Sequence, residues 1–129
     1  MTHRFDLRVY YEDTDLAGIV YYANYLKFIE RARSEWVRDL GVDQAAMKRD
    51  EGVVFAVRRI EADYHRPAHY DDLLQVQTEV EAVTGARLIL RQRVMREGVA
   101  LFEAVVTIVS IGIGGAPARL PAAFRRNLH

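Results

Sequence analysis

The chain has 129 residues, half of them hydrophobic and 28% charged, with 18 basic and 18 acidic side chains, zero formal net charge and no cysteine. This leaves room for a single domain over residues 1–129 with a core of its own, and it excludes disulfides, a thiolate nucleophile and a thiolate metal site. Balanced, dispersed charge argues against nucleic acid or an anionic membrane as partner. The opening MTHRFDLRVYYEDTD carries no apolar signal core, and no stretch approaches the roughly 18 consecutive apolar residues of a membrane-spanning helix, so the expected location is cytoplasmic.

In chain order, Arg4 to Tyr11 alternates apolar Phe5, Leu7, Val9 and Tyr11 with Arg4, Asp6 and Arg8, the pattern of a half-buried strand. An acidic loop follows. From Tyr25 onward Tyr25, Phe28, Ile29, Ala32, Trp36 and Leu40 recur at three- and four-residue steps, with Lys27, Glu30, Arg31, Ser34 and Arg38 on the other side. That spacing predicts one amphipathic helix from Tyr22–Tyr25 to Leu40, stopped by Gly41. Asp43 is positioned to cap a short helix, Gln44 to Glu51, that Gly52 ends.

From Val53 to Arg66 the period returns to two, with Val54, Ala56, Ile60, Ala62 and Tyr64 on one face. The opposite face passes from Val53, Phe55 and Val57 to Arg59, Glu61, Asp63 and His65. The expectation is a strand buried on both sides at its start and ended by Pro67. Leu74 to Ala82 and Leu88 to Val94 alternate around Gly85 and predict a hairpin. After Glu97-Gly98, Ala100 to Ile111 is apolar at nearly every position, as in a central strand covered on both faces. The Gly/Pro-punctuated tail allows one helical turn around Ala122 to Arg125.

One strand, one long helix and four strands in meander-like succession give an α+β fold, an antiparallel sheet wrapped around a single helix. No second long helix is available for the sheet's other face, so a partner chain is its expected cover.

The run from Tyr11 to Tyr25, YEDTDLAGIVYYANY, followed by Glu30-Arg31-Ala32-Arg33, resembles the signature of the hot-dog-fold acyl-CoA thioesterases. The nearest branches are that of 4-hydroxybenzoyl-CoA thioesterase and that of the bacterial thioesterases associated with the Tol-Pal envelope system. The resemblance implies an acyl-CoA substrate, no cofactor, a catalytic carboxylate at Asp15, a carbonyl-polarising backbone amide at Tyr22 and a dimer or dimer of dimers. Where the Tol-Pal branch usually has His, this chain has Tyr22, whose phenol cannot serve as a base at neutral pH; its backbone amide is unaffected.

The residues support the same chemistry. No Ser-His or Cys-His pair stands out, but a carboxylate lies just before a helix N-terminus, where unpaired amides and the positive end of the dipole can hold a developing oxyanion. Asp15 is then the group that attacks the carbonyl or takes a proton from water. Gly18, Val20 and Tyr25 are the expected substrate contacts. Glu12 and Asp13 read as structural or solvated, Asn24 as a hydrogen-bonding partner of the turn or helix cap, and the Tyr21, Tyr22, Tyr25 cluster as packing first. An EF-hand is rejected because Ala17 and Asn24 occupy positions that need ligands. His3, His65, His69 and His129 lack metal-ligand spacing. Arg58, Arg59, Arg66, Arg87, Arg91, Arg93 and Arg96 fall on predicted strands or their ends; an edge of them could pair with the phosphates of coenzyme A, but each reads first as part of a solvated face balanced by Glu79 and Glu81, and the sequence names no one of them as a phosphate ligand. The strand edge near Val53 to Arg59 is the expected dimer contact. Two alternatives remain at this stage: a module that binds an acyl or aromatic metabolite without hydrolysing it, and a thioesterase acting on acyl carrier protein.

Overall fold

The apolar stripe of the sequence becomes helix α1, Asn24–Asp39, which buries Tyr25, Phe28, Ile29, Ala32, Trp36 and Val37. This computed structural model describes residues 2–126, so His129 lies outside the described residues. Phe28, Ile29 and Ala32 have no exposed surface, and each large apolar side chain so buried stabilises the fold by about 1.5–3 kcal/mol. The surface they meet is a five-stranded sheet of β1 (His3–Arg8), β2 (Val54–Tyr64), β3 (Leu73–Val83), β4 (Arg87–Arg96) and β5 (Val99–Ile111). The spatial order is β1-β3-β4-β5-β2, and every neighbouring pair is antiparallel. This is the α+β arrangement the sequence predicts.

The short helix α2 spans Gln44–Glu51, capped by Asp43, which accepts from the Ala46 amide, and closed by Gly52 at φ +68°. The tail helix α3, Ala122–Arg126, contributes Phe124, which is fully buried and meets Trp36 and Phe55 edge-on at centroid distances of 5.7 and 5.2 Å.

Three expectations are corrected. The first strand ends at Arg8 rather than Tyr11: Val9 instead exchanges backbone bonds with Asp71 and Asp72 at 2.9 Å, and Tyr11 turns outward into a short 3-10 helix, 83% exposed. The four later strands are not a simple meander, because β2 pairs with β5 at the far edge while β3, β4 and β5 are consecutive neighbours. In β2 the register shifts between Val57 and Arg59. The extra residue, Arg58, reverses the faces, so that Phe55 and Val57 share a side with Ile60, Ala62 and Tyr64 instead of opposing them. As an edge strand β2 is also less covered than its apolar start suggests, with Val54 and Val57 exposed.

A buried polar knot ties α1 to the sheet. Gln92, with no exposed surface, donates to the Ile29 carbonyl and to Thr78 Oγ1, both at 3.0 Å, and accepts from Arg33 at 3.0 Å. Burial lowers the pKa of the Arg33 guanidinium, partly offset by Glu30. The face of the sheet turned away from α1 mixes half-buried Val105, Val109 and Ile111 with the ion pairs Arg91–Glu81 at 2.6 Å and Arg93–Glu103 at 2.7 Å.

Candidate active site

The loop ahead of α1 is held by Asp13, whose carboxylate accepts from the Tyr10 amide at 2.8 Å and whose carbonyl accepts from the Tyr21 amide and from Asn24 Nδ2, both at 2.9 Å. Asp13 is buried and structural, and Asn24 anchors the loop, as the sequence predicts. Between these anchors the chain makes a tight excursion. The Gly18 amide donates to the Asp15 carbonyl at 2.9 Å and the Asp15 amide to Ile19 at 3.0 Å. Gly18 sits at φ +80°, a conformation that favours glycine. The Ala17 amide donates to Asp15 Oδ1 at 2.9 Å, which fixes the carboxylate. Its Oδ2 has no hydrogen-bond partner among the described residues.

Eight residues after Asp15, the chain enters α1 through Ala23 with no side-chain cap. The Tyr21 carbonyl accepts from the Asn24 amide at 2.8 Å. Because no peptide here is cis, the N–H of Tyr22 points in the opposite direction within that same peptide plane. It donates to no acceptor among the described residues. The Tyr22 carbonyl is fixed in turn by the Tyr64 hydroxyl at 2.9 Å. The result is an unpaired amide at the positive end of a 16-residue helix.

Asp15 and Tyr22 line one recess of about 470 Å³ with Ile19, Val20, Tyr21 and Tyr25 on one side and Tyr64 to Pro67 on the other. The second wall exists because the chain leaving β2 crosses beneath the start of α1. The amides of His65 and Arg66 both donate to the Leu101 carbonyl, at 2.8 and 3.1 Å, and the Val20 amide donates to Ala68 at 2.8 Å. The Ala68 amide donates to the Tyr25 hydroxyl at 3.0 Å. Tyr25, 3% exposed, stacks on Phe102 at 5.0 Å, so it is mainly a floor. Burial raises the Tyr25 pKa against the opposing effect of the Ala68 amide, and burial followed by Tyr22 raises that of Tyr64. Both phenols stay protonated and neutral.

Of the five site residues the sequence singles out, Asp15, Val20, Tyr22 and Tyr25 come together here. Gly18 shapes the turn and lies outside the recess lining. Tyr21 and Tyr22 are exposed walls, not core packing, at 44 and 62%. Tyr64 to Pro67 carries no local sequence signal, since its contribution depends on the strand order. A tighter cavity of about 200 Å³, under Trp36, Phe55 and Phe124, shares no residue with this recess.

Residues 17–103, more than half of the chain, match the thioesterase superfamily. The chain is 44% identical over 110 residues to an acyl-CoA thioesterase, YbgC, of Haemophilus influenzae, covering 85% of this chain and 81% of that one. It is 43% identical over 109 residues to the acyl-CoA thioester hydrolase YbgC of Escherichia coli, covering 84% and 81%. The crystal structure of a probable thioesterase from Bartonella henselae superposes with a TM-score of 0.89 at 40% identity, covering 94% of this chain and all of that one. A 1,4-dihydroxy-2-naphthoyl-CoA thioesterase from Synechocystis, at 22% identity and a TM-score of 0.90 over 97% of this chain and 93% of that one, shares the fold. With its helix wrapped by the five-stranded antiparallel sheet of the hot-dog fold, this chain belongs to the thioesterase superfamily.

Proposed function

We propose that this protein hydrolyses the thioester of a short-chain or aromatic acyl-CoA to the free acid and coenzyme A, with Asp15 and the Tyr22 amide as its machinery. The observation that supports this reading is the shared recess: Asp15, whose carboxylate has one oxygen without a hydrogen-bond partner among the described residues, and Tyr22, whose main-chain amide is unpaired at a helix start, line the same space. In the reaction the thioester oxygen accepts from the Tyr22 amide, whose aim is fixed in advance and which therefore stabilises the oxyanion without reorganising. Either Asp15 attacks the carbonyl carbon, the C–S bond breaks and water then hydrolyses the mixed anhydride to the free acid and restores the carboxylate, or Asp15 takes a proton from the water that attacks, the oxyanion collapses and the thiolate leaves with that proton. The aromatic rim of Tyr21, Tyr22 and Tyr64 favours a flat or short acyl group. The relatives that act on acyl-CoA support the substrate class.

The working unit in this reading is at least a homodimer joined along β2, acting in the cytoplasm; no helix among the described residues is long and apolar enough to cross a membrane. The test is a thiol-release assay over a panel of acyl-CoA esters. Asp15→Asn is expected to lower kcat by about a thousandfold or more while leaving the fold intact, whereas Tyr22→Phe, which keeps the amide, retains most of the activity. Full activity in Asp15→Asn would remove Asp15 from the machinery, and wild-type protein that releases thiol from no ester of the panel would leave the recess as a binding site for an acyl or aromatic metabolite.

A further inference from the structure

We propose that Arg66 binds a phosphate of the thiol carrier, an inference that rests on the thioester-hydrolase reading above. Coenzyme A and a phosphopantetheinylated carrier protein both bring phosphate to the site, yet the chain has zero net charge and Asp15 itself repels anions. No long-range field draws the substrate in, so the attraction has to be local.

Of the seven arginines from Arg58 to Arg96, four are already engaged. Arg59 pairs with Glu61 at 2.9 Å, Arg91 with Glu81 at 2.6 Å, Arg93 with Glu103 at 2.7 Å and Arg96 with Asp72 at 2.7 Å. Arg58, Arg66 and Arg87 have no carboxylate within ion-pair distance among the described residues. Arg58 sits at the β2 bulge and Arg87 opens β4, and neither borders the recess. Arg66 does, and no other Lys or Arg lines it.

The backbone beneath Arg66 is rigid on both sides: its own amide and that of His65 donate to Leu101, and the Pro67 carbonyl accepts from Arg96 at 3.3 Å. Its neighbour His65 is committed to Glu103 at 3.1 Å. The guanidinium is thus a free fork on a fixed base, which can take a phosphate in bidentate fashion without breaking an existing ion pair. The pantetheine arm is a flexible chain that lets the carbonyl reach Tyr22 while its phosphate stays at the rim.

The test compares kcat/KM for three thioesters of one acyl group: acyl-CoA, the acylated carrier protein, and the phosphate-free N-acetylcysteamine thioester. In Arg66→Ala the preference for acyl-CoA over the phosphate-free ester falls about tenfold and returns in part in Arg66→Lys, while Arg87→Ala leaves it unchanged. A purely structural role would lower both rates together and leave the preference where it was. An equal fall on the carrier protein assigns the contact to the phosphate next to the pantetheine; a fall on acyl-CoA alone assigns it to the nucleotide phosphates. A preference within about twofold of wild type in Arg66→Ala overturns the inference while hydrolysis itself stands. Wild-type protein that cleaves none of the three esters overturns the thioesterase reading as well.

Discussion

Asp13 and Asp15 stand two residues apart in one acidic loop, and their surroundings give them different work. Asp13 is buried with its carboxylate on the Tyr10 amide, so it holds the loop; Asp15 is exposed beside the recess with one oxygen free. The sequence distinguishes them because each depends on neighbours a few residues away: the glycine turn on one side and the helix start on the other. Tyr25 tests how far the recess is also a structural joint. Its hydroxyl is the acceptor for the buried Ala68 amide at 3.0 Å, and Phe at this position leaves that donor with nothing in its place. Tyr25→Phe is therefore expected to lose about 1–3 kcal/mol of stability in denaturant unfolding, with KM changed more than kcat as the Tyr64–Pro67 wall loosens. An unchanged midpoint would show that water replaces the phenol. Tyr64 and Arg66 were not legible from sequence for the converse reason: nothing local says that a strand end forty residues from Tyr22 returns to it.

At the scale of elements, helices were easier to read than strands. The bounds of α2 follow from Asp43 and Gly52 alone, because capping is a local matter. Period-two alternation misassigns the faces of β2, because the extra residue Arg58 inverts everything after it and nothing in an alternating pattern marks the bulge between Val57 and Arg59. Polar residues inside a strand hide a second kind of information. By alternation Gln92 falls on the apolar face of Leu88, Leu90 and Val94, and nothing in the spacing names its partners, yet it is the buried pin that joins β4, β3 and α1. Replacing it with Leu keeps most of the volume and strands the Arg33 guanidinium, already disfavoured by burial, together with Thr78. Gln92→Leu is expected to lower stability by about 2–4 kcal/mol. The readout is thermal unfolding alongside kcat at low temperature: a large drop in Tm with kcat near wild type locates the effect in the α1–sheet joint. A neutral midpoint would mean that Arg33 turns out to solvent.

For the molecule as a whole, the unresolved energetic question is the edge of the sheet. β2 presents one unpaired side along eleven residues, with Val54 and Val57 exposed at 37 and 45%; a long edge with apolar side chains and no strand paired to it among the described residues is a template for another strand. The other edge, β1, is shorter at six residues and alternates charged side chains, which blunts it. A two-fold pairing of β2 with a second copy satisfies both the backbone groups and the valines. It also brings the region from Val54 to Val57 of one chain toward the Tyr64 end of its partner, because paired edges run antiparallel about the dyad. The two recesses would then lie at the subunit boundary, and activity would depend on assembly. Val57→Asp places a charge where two copies would meet, at a position already open to solvent within one chain, so the fold is expected to survive. Sedimentation at micromolar concentration should show wild type as a dimer or larger and Val57→Asp as a monomer, with kcat/KM for acyl-CoA reduced by about tenfold or more in the monomer. A wild-type monomer at that concentration would leave β2 an unpaired edge and the recess the work of one chain.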